Sequence, residues 1–184
     1  MMRLIALFLI AAALPAASPA PSPAPSPAPS PAPSPVAMSR AFWEGVSKNI
    51  TAAAEQVPEA SYGFKPVATV RSFGQLIGHI AGTQNLMCGT VLGEKTGEED
   101  DVEKTTTTKA ALVAALKASN AHCAKAYAIS DADAAKMVKL FGEDQSALQG
   151  LMGNAMHDGG HYGNIVTYMR VMGMVPPSSQ PAPK

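Results

Sequence analysis

His157-Asp158-Gly159-Gly160-His161 lies within Ser146 to Met172, a stretch with the spacing of one long helix. Two histidines at i and i+4 differ by one turn and roughly 40° of rotation, so both rings leave the same face. One helix can then offer two nitrogen ligands to one ion. No glutamate follows His157, so the helical H-E-x-x-H metalloprotease is excluded. Two ordinary hydrogen-bonded helix histidines would show the same spacing, and a third ligand has to decide. The bounds of this helix are local signals. Ser146-Ala-Leu-Gln149 has the form of a capping box, and Gly173 is a C-terminal stop.

Working back along the chain, three more helices are predicted. Ser39 to Val57 carries Phe42, Trp43, Val46, Ile50, Ala53, Ala54 and Val57 at three- and four-residue steps, and Pro58 ends it. Ser72-Phe-Gly-Gln75 is a second capping box, opening a helix that runs to Leu92 before Gly93. Thr108 to Ile129 shows the stripe Leu112, Leu116, Ser119, Cys123 and Ala126. Between the second and third, Gly93 to Thr107 is polar and acidic and reads as a solvated loop. Asp131 to Phe141 reads as a short helix or an irregular packed segment. The fold class is therefore all-α, a four-helix bundle, with long connections that leave simple up-down order open.

The ends are different. Met1 to Ala17 has Arg3 before an apolar run, Leu4 to Leu14, followed by small residues. That is a secretory signal, too short to span a bilayer as a helix, with an uncleaved anchor as the alternative. Residues 18–36 repeat Pro-Ser-Pro-Ala, which favours an extended polyproline II linker. The domain is expected over 37–176, with a proline-rich tail over 177–184. Export, to the periplasm or the medium, follows from the signal. Loss of Arg3 leaves a net charge of −1 with no basic run, so nucleic-acid binding has no electrostatic support. No stable membrane insertion is expected after cleavage.

His79 sits mid-helix between Gly78 and Gly82, and further glycines surround His157 and His161. Each helical glycine costs about 1 kcal/mol against alanine, so backbones approach closely there or something must fit beside them. Helical wheels put Asn154, Asn164 and Tyr168 within about 60° of the His157/His161 direction, and Gln75 and Thr83 a turn either side of His79. Buried polar strips must be satisfied. A metal with a polar pocket would do so, and so would a hydrogen-bonded core network. His122 falls outside the apolar face of its helix and reads as peripheral.

With "SFGQLIGHIAG" at 72–82, "HDGGHYGNIVTYMRVMGMVPPSS" at 157–179 and "FKP" at 64–66, the chain resembles the DinB-like superfamily of damage-inducible metalloproteins over nearly all of Ala37 to Ser179. The resemblance implies a bundle in which His79, His157 and His161 bind one divalent metal. It also implies relatives that are thiol-dependent S-transferases or hydrolase-like proteins. Zinc is the first expectation for the ion, with nickel, iron or manganese as alternatives. Three imidazoles leave a coordination position open, which suits activation of water or a thiol on a small-molecule substrate. Asp158 is a candidate proton acceptor or a partner supporting the ligands from behind, and Gln75, Thr83, Asn154, Asn164 and Tyr168 are candidate pocket residues. The reading is a metal-dependent hydrolase or group transferase. The alternative is a non-catalytic metal-binding or stress-related bundle, and either is compatible with a homodimer. Cys88 and Cys123 form an even pair in an exported chain, which favours a disulfide between the second and third helices, with two buried thiols as the alternative.

Overall fold

Ser34 and Pro35 begin the first helix in the structure, a computed structural model that describes residues 32–181. The expected signal, residues 18–31 of the linker and residues 182–184 of the tail lie outside the described residues. Helix α1 spans Pro35–Gln56, and the Ala37 N–H donates to Ser34 Oγ. Proline is favoured at the first helical position because its missing N–H would have no partner there. Helix α1 therefore starts earlier than the proline repeat suggests. Val36, expected in the linker, is buried.

Helix α2 is Phe73–Val91, capped by the Ser72–Gln75 box, and Gly93 adopts a φ of 73° beyond it. A short helix α3, Asp101–Thr105, interrupts the acidic segment. Helix α4, Lys109–Ala126, buries the five stripe residues Leu112, Leu116, Ser119, Cys123 and Ala126. Helix α5 is Asp131–Ala134. Helix α6, Ala147–Val171, opens on the Ser146–Gln149 box.

A β-hairpin, not read from the sequence, precedes α6. Strand β1, Met137–Leu140, pairs antiparallel with β2, Glu143–Ser146. Phe141 and Gly142 turn it with φ of 52° and 84°. Positive φ at both positions matches a type I′ hairpin turn. Phe141 hides the signal, because asparagine or aspartate normally occupies that place.

In the bundle α1 packs on α6 and α4, and α2 packs on α4 and α6. Cys88 of α2 and Cys123 of α4 are joined by a disulfide, with Cα atoms 5.1 Å apart. The core is layered. One apolar cluster holds Ile50, Ile80, Leu116 and Ile165; the other holds Trp43, Tyr127, Leu151 and the cysteines. Between those levels each long helix contributes a buried polar side chain: Ser47, Gln84, Ser119 and Asp158. Among the described residues no helix is long and apolar enough to cross a membrane.

Candidate metal centre

His79 comes from α2, and His157 and His161 come from α6. The helices are neighbours, and the three rings meet with centroids 5.1, 4.9 and 4.3 Å apart. One nitrogen from each lies within 4.8 Å of the others. The Nε2 atoms of His79 and His157 are 3.1 Å apart. Two nitrogens bound tetrahedrally to one zinc ion would stand about 3.3 Å apart, so the spacing is that of co-ligands.

The ring environments fit the same role. His79 is buried and turns Nδ1 to Asp100 Oδ1 at 3.0 Å. His157 Nδ1 faces Asp158 Oδ1 at 3.4 Å, and His161 Nδ1 faces the Asn164 amide at 3.4 Å. Nδ1 thus lies beside a carboxylate in His79 and His157, and beside the Asn164 amide nitrogen in His161. The His161 pKa is pushed down to about 3, by burial first and then by His157, His79 and Arg71. A neutral imidazole is the form that binds metal. These residues can hold a divalent ion.

Asp100 belongs to the segment expected as a solvated loop, but part of that segment is helix α3 and its acidic side chains pack against α2. Arg71 binds Asp100 Oδ1 at 3.1 Å through its terminal nitrogen and Glu103 Oε2 at 2.8 Å through Nε. The His79 ring holds the Asp100 carboxyl below the usual range, with burial opposing and Arg71 assisting. The backbone of this segment lies directly on α2. A Cβ on Gly78 would stand 2.8 Å from Glu103 Cα, and one on Gly82 would collide with the Glu99 carbonyl. Two of the glycines noted around the histidines are thereby explained. Gly160 and Gly163 face open space, and nothing in the structure requires them.

The other candidates fall in different places. Asp158 is 0% exposed. Gln84 donates to its Oδ2 at 2.7 Å, and Ser119 donates to Gln84 Oε1 at 2.6 Å. Burial pushes the Asp158 pKa up, against the His157 ring and the Gln84 amide. It lies behind His157, inside the core, and not at an open face. Tyr168 is 7% exposed, and its hydroxyl donates to the Arg71 carbonyl at 2.9 Å. Asn164 is exposed beside His161. Asn154 is buried and donates to Tyr127, and the buried Thr83 hydroxyl has no hydrogen-bond partner among the described residues. Gln75 caps α2 through the Ser72 N–H and lines a cleft of about 310 Å³ with Tyr62, Glu103 and Leu112, which none of the three histidines lines. Arg71, Glu103, Asp100 and Gln84 were missed. Each acts through a partner distant in sequence, so no local pattern marks them.

A sequence model of the DinB superfamily matches residues 43–165. The chain belongs to the DinB superfamily. Solved structures agree on the fold. A DinB-like protein from Bacillus cereus superposes with a TM-score of 0.66 at 16% identity, over 76% of this chain and 93% of that one. A DinB-like protein from Bacillus subtilis gives 0.53 at 19% identity, over 79% and 99%. A mycothiol-dependent maleylpyruvate isomerase gives 0.59 at 17% identity, over 71% of this chain and 60% of that one. No curated protein matches the sequence.

Proposed function

We propose that this DinB-superfamily protein is an exported metal-dependent enzyme, a hydrolase or a group transferase of the thiol S-transferase kind, acting on a small molecule. The observation that carries the reading is the convergence of His79, His157 and His161 from two helices, with ligand atoms within 4.8 Å. Three imidazoles leave at least one position for a reactant, as catalytic zinc sites do. A divalent ion there supplies Lewis acidity, lowering the pKa of water or of a thiol. Zinc suits an all-imidazole set, and nickel, iron and manganese are the competitors. The structural likeness to a mycothiol-dependent isomerase supports a thiol partner. The Cys88–Cys123 disulfide and the apolar N-terminus support export, since disulfides persist in oxidising compartments.

The residues around the ligands divide the work. Asp158 braces His157 from within the core, and Asn164 flanks His161 at the surface. A second reading, a non-catalytic metal-binding or stress-related bundle, draws on one observation. Asp158 is enclosed, so the candidate proton acceptor is not free to move a substrate proton, and the Tyr168 hydroxyl beside the site is committed to the Arg71 carbonyl.

Metal analysis of the purified chain tests the binding step. A screen of the metal-loaded protein against esters, amides and electrophile-plus-thiol pairs then separates the readings. One equivalent of a divalent metal with turnover of any class supports the enzyme. Stoichiometric metal without turnover favours the non-catalytic bundle, and no metal overturns both.

A further inference from the structure

We propose that Asp100 is a positioning residue for the metal centre, with Arg71 holding its carboxylate so that the His79 ring presents Nε2 to the ion. The proposal rests on the three-histidine reading but concerns residues outside the ligand set.

An imidazole carries one proton when neutral, and its partner decides which nitrogen keeps it. A carboxylate only accepts. With Asp100 Oδ1 at 3.0 Å, Nδ1 of His79 is the donor, and the Nε2 lone pair is left to face His157. Such an outer carboxylate fixes a ligand ring and raises its basicity. Asp100 is itself constrained. The Arg71 guanidinium meets the same oxygen at 3.1 Å and spans to Glu103. The Arg71 backbone is tied in turn by the Tyr168 hydroxyl. The whole segment can reach His79 because Gly78 and Gly82, flanking that histidine, present no Cβ to it. The family pattern of three histidines contains none of these residues.

The competing account is that Arg71, Asp100 and Glu103 merely clasp α3 to α2, with His79 a bystander. The two Arg71 arms separate the accounts. Glu103 shares the clasp, yet its carboxylate lies 4.0 Å from His79 Nδ1, outside bonding range.

The experiment uses the full chain, stripped of metal, in a zinc titration against a competing chelator, with the cobalt(II) absorption spectrum as a second readout. Asp100→Ala should weaken zinc about 10- to 100-fold, the range for outer-shell partners of ligating histidines. Asp100→Asn, which keeps the volume and one acceptor oxygen, should fall between it and wild type. Glu103→Gln should stay within about twofold of wild type. The cobalt bands should shift in Asp100→Ala and not in Glu103→Gln. Circular dichroism of the metal-free forms reports the fold, and Asp100→Asn carries the test if Asp100→Ala fails to fold. Zinc affinity within twofold of wild type in both Asp100 variants overturns the proposal. So does a loss in Glu103→Gln equal to that in Asp100→Ala. A wild-type chain that takes up neither zinc nor cobalt overturns the metal reading itself, and this proposal with it.

Discussion

His79 and His157, separated by 78 residues in the chain, bring their Nε2 atoms to 3.1 Å. Behind each ring a carboxylate faces Nδ1, Asp100 in one case and Asp158 in the other. Where Nδ1 donates in both rings, the two Nε2 atoms turn lone pairs towards each other. A cation between them converts that repulsion into attraction. His161, held neutral by burial and its neighbours, completes the donor set. A saturating divalent ion should stabilise the fold. At 100 times its Kd the gain is about 2.7 kcal/mol, or roughly 5–10 °C in Tm for a chain of this size. Alanine at His79, His157 or His161 should abolish the shift. A melting curve of wild type that ignores zinc, nickel and manganese alike would contradict the donor set.

Gly82→Ala should loosen the metal site without touching a ligand. Its Cβ would meet the Glu99 carbonyl, next to Asp100, so the segment must lift away from His79. The expected result is weaker zinc affinity in a chain that keeps its helical circular dichroism. Gly160→Ala, where a Cβ meets open space, is the control and should raise stability by up to about 1 kcal/mol. Equal zinc affinity in the two variants would remove the close-packing argument.

Reduction of the Cys88–Cys123 bond should cost about 3–4 kcal/mol by the loop-entropy account for a separation of 35 residues. The urea midpoint with and without reductant measures it. Two titratable thiols in denatured, unreduced protein would show that the bridge does not form.

Gln84→Leu should destabilise the chain by about 1–3 kcal/mol, because it leaves the fully buried Asp158 without its amide donor, while Ser119 keeps the Leu116 carbonyl as its acceptor. Chemical denaturation of the metal-free protein is the appropriate readout. A neutral result would mean that the polar layer does not depend on this residue.

Tyr62 and Tyr127 should hold their protons well past the ordinary value near 10. Burial is the first cause in both, opposed at Tyr127 by Asn154 and reinforced at Tyr62 by Glu59 and Glu55. A raised folded pKa means that the folded state binds more protons above pH 10 than the unfolded chain does. The contribution is complete below pH 10 and declines as pH rises towards the folded value. Stability should fall between pH 10 and 12, and Tyr62→Phe should make that fall shallower. The absorbance of phenolate at 295 nm checks the same assignment. Full ionisation of all four tyrosines near pH 10 in folded protein would refute it.

Signals written within one turn of helix were legible from the chain alone. The Ser72–Gln75 and Ser146–Gln149 boxes start α2 and α6 where their residues place them, because a cap is satisfied by backbone three positions away. The α4 stripe is buried residue for residue, since helical period and burial share one geometry. The three histidines were legible through spacing on α6 and through likeness to the family. The hairpin was not, because four-residue strands are too short to show a period and Phe141 stands where the turn residue is usually polar.

Tertiary structure alone decided what the polar residues do. Asp158, read as a proton acceptor or as a support behind the ligands, is enclosed with Gln84 behind His157 because α2 and α6 pack at that level. Gln75, read as a pocket residue, caps its own helix and lines a cleft that none of the three histidines lines. The acidic run, which composition marks as solvated, delivers Asp100 to a histidine 21 residues earlier because two glycines open the surface of α2 to it. A chain specifies its helices by near-neighbour periodicity. A charged side chain takes its role from whichever distant group neutralises it, and only the packed fold brings the two together.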